Sequence, residues 1–249
     1  MTAPPNVPPG VLVGTSWREA ALVSGGDAYV MHHLAPAAVR EVRRGDGWWA
    51  VVFGPTSYFE RGGLHLGGDP ARVGAVAEDL GHALRPTEVT TGEGVLGWAH
   101  PDGGSRWAWL HTTRALPRVP GEDRVSWTPD PVRVSELLDE ANPDAYVRPG
   151  GPTAQSWAAV AGPGGRLLGC GAVTHHRPGV PHLSSIAVSP TARRQGLGAA
   201  LTVAMTRHLL RTAPAVSLAL WSGNTGARAL YDRIGFTGGH DFDTRAQTR

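Results

Sequence analysis

The sequence predicts a mixed α/β fold (α+β, mixed sheet), on three observations. Residues 125–243 alternate helical and extended patterns in the order α, β, β, β, α, β, α, β. The N-terminal half also reads as a strand, then a helix, then further strands. Between the halves, roughly residues 112–130 are rich in Pro, Arg and Thr, with Pro117, Pro120, Gly121 and Pro129, as a domain boundary would be. The expected organisation is a flexible leader over 1–16, an N-terminal α/β domain over 17–118 and a second domain over 125–249.

In the N-terminal half, Trp48–Phe53 is a continuous apolar run and reads as a buried strand. Asp69 and Pro70 then open a helix, as capping residue and first helical residue. Val73, Val76, Ala77, Leu80 and Leu84 share one face of it, and Pro86 stops it. Residues 94–100 and 106–112 flank Pro101-Asp102-Gly103-Gly104, the pattern of a hairpin. His32 and His33 are adjacent and point apart, with no third ligand spaced for a metal, so no metal role is assigned.

In the C-terminal half, Asp130 and Pro131 open a helix with Val134, Leu137, Leu138 and Ala141 on one face. Residues 157–161 and 166–174 are strands around Gly162-Pro163-Gly164-Gly165, and 182–188 is a third strand. Residues 195–211 form a helix with Leu197, Leu201, Met205 and Leu209 in phase. Val216–Trp221 is a strand, and 224–234 is a helix that ends on Gly235, where a left-handed residue belongs. Residues 236–242 supply a last strand.

Composition narrows the chemistry. The chain has 249 residues, and all 23 of its basic residues are arginine. The absence of lysine excludes a P-loop, a kinase-type strand lysine and a Schiff-base enzyme. The single cysteine, Cys170, excludes an internal disulfide and a multi-cysteine zinc site, and it fits a reducing, cytoplasmic setting. Cys170 itself reads as a buried structural thiol. The net charge is only +2, and no basic stripe suggests nucleic acid. No apolar run reaches the roughly 18 residues of a membrane span, so neither nucleic acid nor membrane is an expected partner.

The informative segment is Ser185-Ile-Ala-Val-Ser-Pro190-Thr-Ala-Arg193-Arg-Gln-Gly196-Leu-Gly198. Arg-x-x-Gly-x-Gly alone is weak, because a chain this rich in glycine and arginine carries roughly 0.4 such hexapeptides by chance. Its context gives it weight, since it follows a strand and opens a helix. A helix N-terminus offers unpaired N–H groups and partial positive charge to a pyrophosphate. Gly196 and Gly198 let phosphate approach the backbone, and Arg193 and Arg194 add charge. A dinucleotide fold would instead place Gly-x-Gly-x-x-Gly directly after the strand. Downstream lies Asn224-Thr-Gly-Ala227-Arg-Ala-Leu230-Tyr231-Asp-Arg-Ile-Gly235-Phe236.

Together, in this order and separation, the two segments resemble the GCN5-related N-acetyltransferase (GNAT) family, over about residues 125–243. The resemblance implies a GNAT fold for the C-terminal half, with the N-terminal α/β domain as an addition or a degenerate copy of the same fold. It implies acetyl-CoA as co-substrate, no metal, and transfer to a primary amine on a small molecule or peptide. The backbone of Ile186, Ala187 and Val188 would hold the pantetheine arm and polarise the thioester. Arg193, Arg194, Gln195, Gly196, Leu197, Gly198 and Ala199 would form the pyrophosphate turn. Asn224 and Ala227 would meet the arm from the other side. Tyr231 falls where the family has its general acid, and a phenol can protonate a departing thiolate.

The general base is less defined. A Glu that some relatives carry five residues before the Asn is Ala219 here. His182 occupies the position of another family Glu and shares a strand face with Ser184, Ile186 and Val188. His175, His176 and His240 are further candidates. Asp144, Tyr146 and Asp241 lie where the family shapes its acceptor site. Two other readings remain: a non-catalytic acyl-CoA-binding module, and a transferase for a longer acyl group. The N-terminal half is expected either to wall off the acceptor cleft or to supply a homodimer surface.

Overall fold

A computed structural model describes residues 9–55, 62–84, 86, 88–95 and 104–246. In chain order its elements are β1 (Val11–Gly14), α1 (Trp17–Val23), α2 (Ala28–His32), β2 (Val39–Gly45), β3 (Trp48–Phe53), β4 (Gly63–Gly68), α3 (Pro70–Leu84), β5 (Glu88–Gly92), β6 (Gly104–Thr112), β7 (Val125–Trp127), α4 (Pro131–Ala141), β8 (Ser156–Ala161), β9 (Leu167–Arg177), β10 (Val180–Val188), α5 (Leu197–Leu209), β11 (Val216–Trp221), α6 (Thr225–Ile234) and β12 (Gly238–Ala246). The chain divides into two compact units. The first comprises Met1–Trp109, Trp221–Gly223 and His240–Arg249, and the second Leu110–Leu220 and Asn224–Gly239.

In the first unit, β2, β3 and β4 form an antiparallel meander, and α3 carries the chain to β5, which runs parallel to β4. The reasons for α3 are local. Asp69 Oδ1 accepts from the amides of Ala71 and Arg72 at 3.1 and 3.0 Å, and Pro70 occupies the first helical position. Val73, Ala77 and Leu80 then bury against Leu64, Leu66 and Trp48. A second core gathers Tyr29, Val30, Val42, Val51, Trp109 and Phe242. Phe242 arrives on β12, which pairs antiparallel with β5 from Phe242↔Gly92 to Ala246↔Glu88.

The second unit repeats this topology. β8, β9 and β10 form an antiparallel meander, and α5 leads to β11, parallel to β10. β7 adds an edge strand to β8. Residues alternate across the sheet with period two. Ala159, Cys170 and Ala187 pack under Val134, Leu137 and Leu138 of α4, while Val160 packs with Leu197 and Leu201 of α5. Gly169 and Gly171 lie under α5: a Cβ there would sit 2.7 Å from Leu201 Cδ1 and 3.0 Å from Met205 Sδ. These glycines let α5 approach β9 closely. The shared order, meander–helix–parallel strand, makes the N-terminal half a structural counterpart of the C-terminal one.

The structure differs from the sequence reading in four places. Val11–Gly14 is a strand inside the expected leader, and Ser16 and Glu19 form a capping box that starts α1. The units divide at Trp109/Leu110 instead of near 118–125, and the last strand belongs largely to the first unit. That strand starts at Gly238, two residues later than expected, because the Phe236 amide closes the end of α6 by donating to the Tyr231 carbonyl at 3.0 Å. Glu93 and Val95 lie in a turn, closed by the Val95 amide on the Gly92 carbonyl at 3.3 Å. Residues 96–103, the rest of the expected hairpin, lie outside the described residues. No described helix is long and apolar enough to cross a membrane.

Glycine-rich β4 forms because aromatic rings on β3 cover its glycines. Gly63 pairs with Phe53, and a Cβ at Gly63 would lie 2.3 Å from Phe53 Cζ. Phe53 is itself buried. Gly63→Ala should therefore destabilise the first unit by about 1–3 kcal/mol through overpacking. Urea melts of the full chain check this, and an unchanged midpoint would mean that Phe53 moves aside freely.

Candidate functional site

The site is built where β10 and β11 part. Their parallel register holds at His182↔Ser217 and Leu183↔Leu218, and among the described residues it goes no further. β10 meanwhile stays paired with β9 as far as Val188↔Gly169. The part of β10 after Leu183 thus keeps one partner and turns its other edge towards a gap. A bulge aims that edge. Ser184 pairs with Ala172 and Ala187 with Cys170, so three steps on β10 face two on β9. Ser185 sits in the bulge at φ +48° and donates its hydroxyl hydrogen to the Val147 carbonyl at 2.8 Å. On the facing strand, Ala219 is exposed between buried Leu218 and Leu220.

The chain then makes the turn that the sequence singles out. Arg194 and Gly196 both take positive φ, at 66° and 78°, and Gly196 is the N-cap of α5 with no side-chain cap. The first amides of α5 therefore have no partner within the helix, and the helix dipole adds positive charge there. Around Gly196 a Cβ would meet nothing within 4 Å, so the turn opens into free space. At Gly198 it would lie 3.8 Å from Leu230 Cδ1 and 3.9 Å from Val188 Cγ2. The end of β10, the start of α5 and α6 converge at this glycine.

Arg193 is exposed at the turn, and its guanidinium leans back towards α4. Its Nε–H points to the Val188 carbonyl at 3.4 Å and an Nη2–H to the Ala141 carbonyl at 3.5 Å. The guanidinium ties the turn to the C-terminus of α4, where the helix dipole favours a cation. Ser189 reinforces the tie by donating to Glu140 at 3.1 Å, and Glu140 also pairs with Arg166 at 2.7 Å. Arg194 and Gln195 are exposed at the turn, and Leu197 and Ala199 are buried beneath it.

On α6, the Asn224 side-chain carbonyl accepts from the Ala227 amide at 3.1 Å and so caps the helix. The cap leaves the side-chain NH₂ as the group Asn224 can offer a ligand. Ala227 is half-buried one turn later. Tyr231 is buried, its ring 6.1 Å from that of Phe236, and burial pushes its phenol up to about 12. It is a proton donor throughout the neutral and alkaline range.

His182 is buried too, with Nδ1 2.9 Å from the Ser217 hydroxyl and its ring 4.6 Å from that of His176, edge to face. Burial holds His182 well below the usual histidine range, with His176 as a smaller cause. Burial likewise brings His176 down to about 4, helped by His175. His182 is therefore neutral at pH 7 but a weak base. His175 is half-buried and also lowered by burial. His240 and Asp241 belong to the first unit, where His240 Nε2 lies 3.0 Å from Asp27 Oδ2. His33 also lies there, stacked on Tyr29 at 4.5 Å. Cys170 is buried and its thiol is pushed up to about 12, which makes it an inert core group. Asp144 and Tyr146 are exposed in the segment after α4.

Comparison with known proteins agrees with this geometry. Residues 122–236 match the family model described as acetyltransferase (GNAT) family. Among solved structures, a protein of Novosphingobium aromaticivorans assigned to the GNAT family is similar at 14% identity and a TM-score of 0.52, covering 92% of this chain and 97% of its own. A GCN5-related N-acetyltransferase from Kribbella flavida is similar at 19% identity and a TM-score of 0.50, covering 95% and 97%. These identities speak for the fold, and they extend the likeness over the N-terminal half as well. No curated protein matches the chain. The family match at residues 122–236 spans the gap between β10 and β11 and the glycine turn of α5, and is consistent with a GNAT region in the C-terminal half of this chain.

Proposed function

We propose that the chain is an acetyl-CoA-dependent N-acetyltransferase that moves an acetyl group directly to a primary amine. The observation that carries this reading is the open edge of β10 leading into an uncapped glycine turn. An extended pantetheine arm fits such an edge as an added strand would, and a pyrophosphate fits the turn. In this reading the amides of Arg194 to Ala199 hold the phosphates, and the backbone of Ile186 to Val188 holds the arm. One amide of the bulge polarises the thioester carbonyl as charge develops on its oxygen. The side-chain amide of Asn224 meets the arm from α6.

The amine nitrogen attacks the thioester carbon, and the tetrahedral intermediate collapses with cleavage of the C–S bond. Tyr231 gives its proton to the departing thiolate, and the nitrogen loses one to a base. His182 is in the correct neutral form to accept it, though burial leaves it with little basicity. An acceptor that arrives already deprotonated asks less of it. The acceptor is a small-molecule or peptide amine, and the lone buried thiol suits a reducing, cytoplasmic setting.

A screen of acetyl-CoA thiol release against amines grouped by charge and size tests the proposal. Release with at least one group supports it. Binding of acetyl-CoA without release for any amine favours a non-catalytic acyl-CoA module instead, the reading that Ala219 and the weak base His182 support. Release only with a longer acyl thioester would point to a different donor. Failure to bind any acyl-CoA overturns all three.

Two glycine variants probe the turn separately. Gly196→Ala should cost about 1–2 kcal/mol, because the residue is left-handed. It should also weaken acetyl-CoA binding about tenfold, by placing a methyl where phosphate approaches. Gly198→Ala meets only ordinary contacts inside the first helical turn. It should stabilise by about 0.5–1 kcal/mol, so a loss of acetyl-CoA affinity in this variant reports the methyl in the phosphate turn alone. Thermal melts and calorimetric titration read both effects. Equal affinity in Gly196→Ala and wild type would move the phosphates elsewhere.

A further inference from the structure

The strained residue at the bulge of β10 has a partner outside its sheet. Ser185 holds φ +48°, a conformation that is unfavourable for a non-glycine residue unless its surroundings impose it. What meets it is the carbonyl of Val147, which accepts the Ser185 hydroxyl hydrogen at 2.8 Å across 38 residues of sequence. Val147 is buried, in the segment of residues 142–155 between α4 and β8.

That segment has other anchors, among them Ala145, which packs against the core under α4. Arg148 ties it to α4 by pairing with Asp139 and donating to the Pro143 carbonyl at 3.1 Å. At its far end, the Gln155 amide donates to the Val173 carbonyl on β9 at 2.9 Å. Two short turns close within it, Ala145 on Asn142 at 3.0 Å and Gly151 on Arg148 at 3.1 Å. These bonds fix the ends and the local shape of the segment. The Ser185 hydroxyl fixes its middle, and does so at the residue whose backbone sets the direction of the open edge.

We infer that Ser185 is a positioning residue: its hydrogen bond to Val147 sets the 142–155 segment in register with the bulge that faces the gap. This rests on the proposed acetyl transfer, with the exposed side chains of the segment, Asp144 and Tyr146 among them, on the acceptor side. Ser185 does not touch the reacting atoms. It makes the placement of the acceptor depend on the same residue that aims the thioester-binding backbone. Losing the bond frees the segment and leaves the phosphate turn, held by Arg193 and Ser189, as it was.

Three variants and two readouts test this. Ser185→Ala keeps the backbone and removes the hydroxyl. Ser185→Gly removes the hydroxyl and relieves the positive φ. Ser185→Asn tolerates the positive φ and supplies an N–H donor. Both Ala and Gly variants should raise the KM for the amine about three- to tenfold, with acetyl-CoA affinity within about twofold, and Asn should recover part of the loss. Because Gly relieves strain while Ala does not, a purely structural role would separate the two, and a lost register makes them alike. Wild-type KM in both overturns the inference. Hydrogen exchange provides the second readout without catalysis. Residues 142–155 of the ligand-free protein should exchange about three- to tenfold faster in Ser185→Ala, and equal rates overturn the inference. If the wild type transfers no acetyl group to any amine, the proposed function fails, while the exchange comparison still decides the role of Ser185.

Discussion

Tyr231→Phe is expected to lower kcat for acetyl transfer by about 10²-fold or more while leaving acetyl-CoA affinity within about threefold. General acids contribute about 10²–10⁴ when correctly placed. The reason to expect loss at all lies in the leaving group. In the proposed transfer a thiolate of pKa near 8.5 leaves the tetrahedral intermediate and needs a proton as the C–S bond lengthens. Burial holds the Tyr231 phenol at about 12, so it remains protonated at every working pH. That value also sets a limit: full transfer from such a phenol to a free thiolate is uphill by about 3–4 units. The gain must come in the transition state, as a hydrogen bond that strengthens while charge builds on sulfur.

Two controls separate this from packing. Phe preserves the ring that faces Phe236, so the thermal midpoint should move by no more than about 2 °C. An acetyl thioester of a more acidic thiol needs less protonation, so the variant should lose less with that donor. Unchanged turnover in Tyr231→Phe would remove the acid role and leave Tyr231 a core residue. An equal loss with both donors would also count against it.

The parts of this molecule that the sequence discloses are those whose determinants are local. Asp69-Pro70 and Asp130-Pro131 announce α3 and α4, because capping geometry needs only neighbouring residues. Gly235, left-handed at φ 109°, announces the end of α6 for the same reason. The glycine turn of α5 was legible because it follows a strand and opens a helix, with the second motif at 224–236 downstream; the left-handed Gly196 is visible only in the structure. Strand β4 was not legible. Its sequence, Gly-Leu-His-Leu-Gly-Gly, has poor strand propensity, and it forms because Phe53 and Trp49 of β3 lie over Gly63 and Gly67. The pairing of β12 with β5 joins residues some 150 positions apart, and no short-range pattern encodes it.

The same distinction runs through the site. Motif spacing locates Arg193, but it cannot say that the guanidinium turns back to Ala141 and Val188. Period-two alternation puts His182 on one strand face with Ile186 and Val188, but the bulge between Ser184 and Ala187 shifts that alternation by one residue, and the neutral state of His182 depends on burial and on His176. Serine is not a residue that marks positive φ, so Ser185 gave no sign of the bulge it occupies. Each of these is a side chain whose role is decided by something distant in sequence.

Acidification should weaken the fold well before ordinary carboxylates protonate, through histidines buried neutral in both units. In the first unit His65 is buried among Tyr29, Trp49 and Phe242, with ring centroids 4.8–5.3 Å away. Burial brings its pKa down to about 4, against a smaller opposing pull from Asp27. In the second unit His176 is also brought to about 4 by burial, and His182 is shifted in the same direction. An unfolded chain returns each to about 6.5. Between pH 6.5 and 4 the unfolded state therefore binds more protons than the native one. Stability is complete above about pH 6.5, falls as the pH drops towards 4, and flattens below that. At pH 4.5, His65 and His176 each contribute a loss of about 2–3 kcal/mol. Against a total of about 5–15 kcal/mol this is large. Asp27, held below the usual carboxylate range in the native state, adds to the loss, whereas Glu88, raised by burial, opposes it. The expected result is a fall in melting temperature of about 10 °C or more from pH 7.5 to pH 4.5. His65→Phe, which replaces a buried neutral ring by one that cannot titrate, should flatten the pH dependence of the first unit. His176→Gln should do the same for the second. A melting temperature constant over this range, or a His65 ring that titrates near 6.5 by NMR, would show that these histidines reach water in the native state.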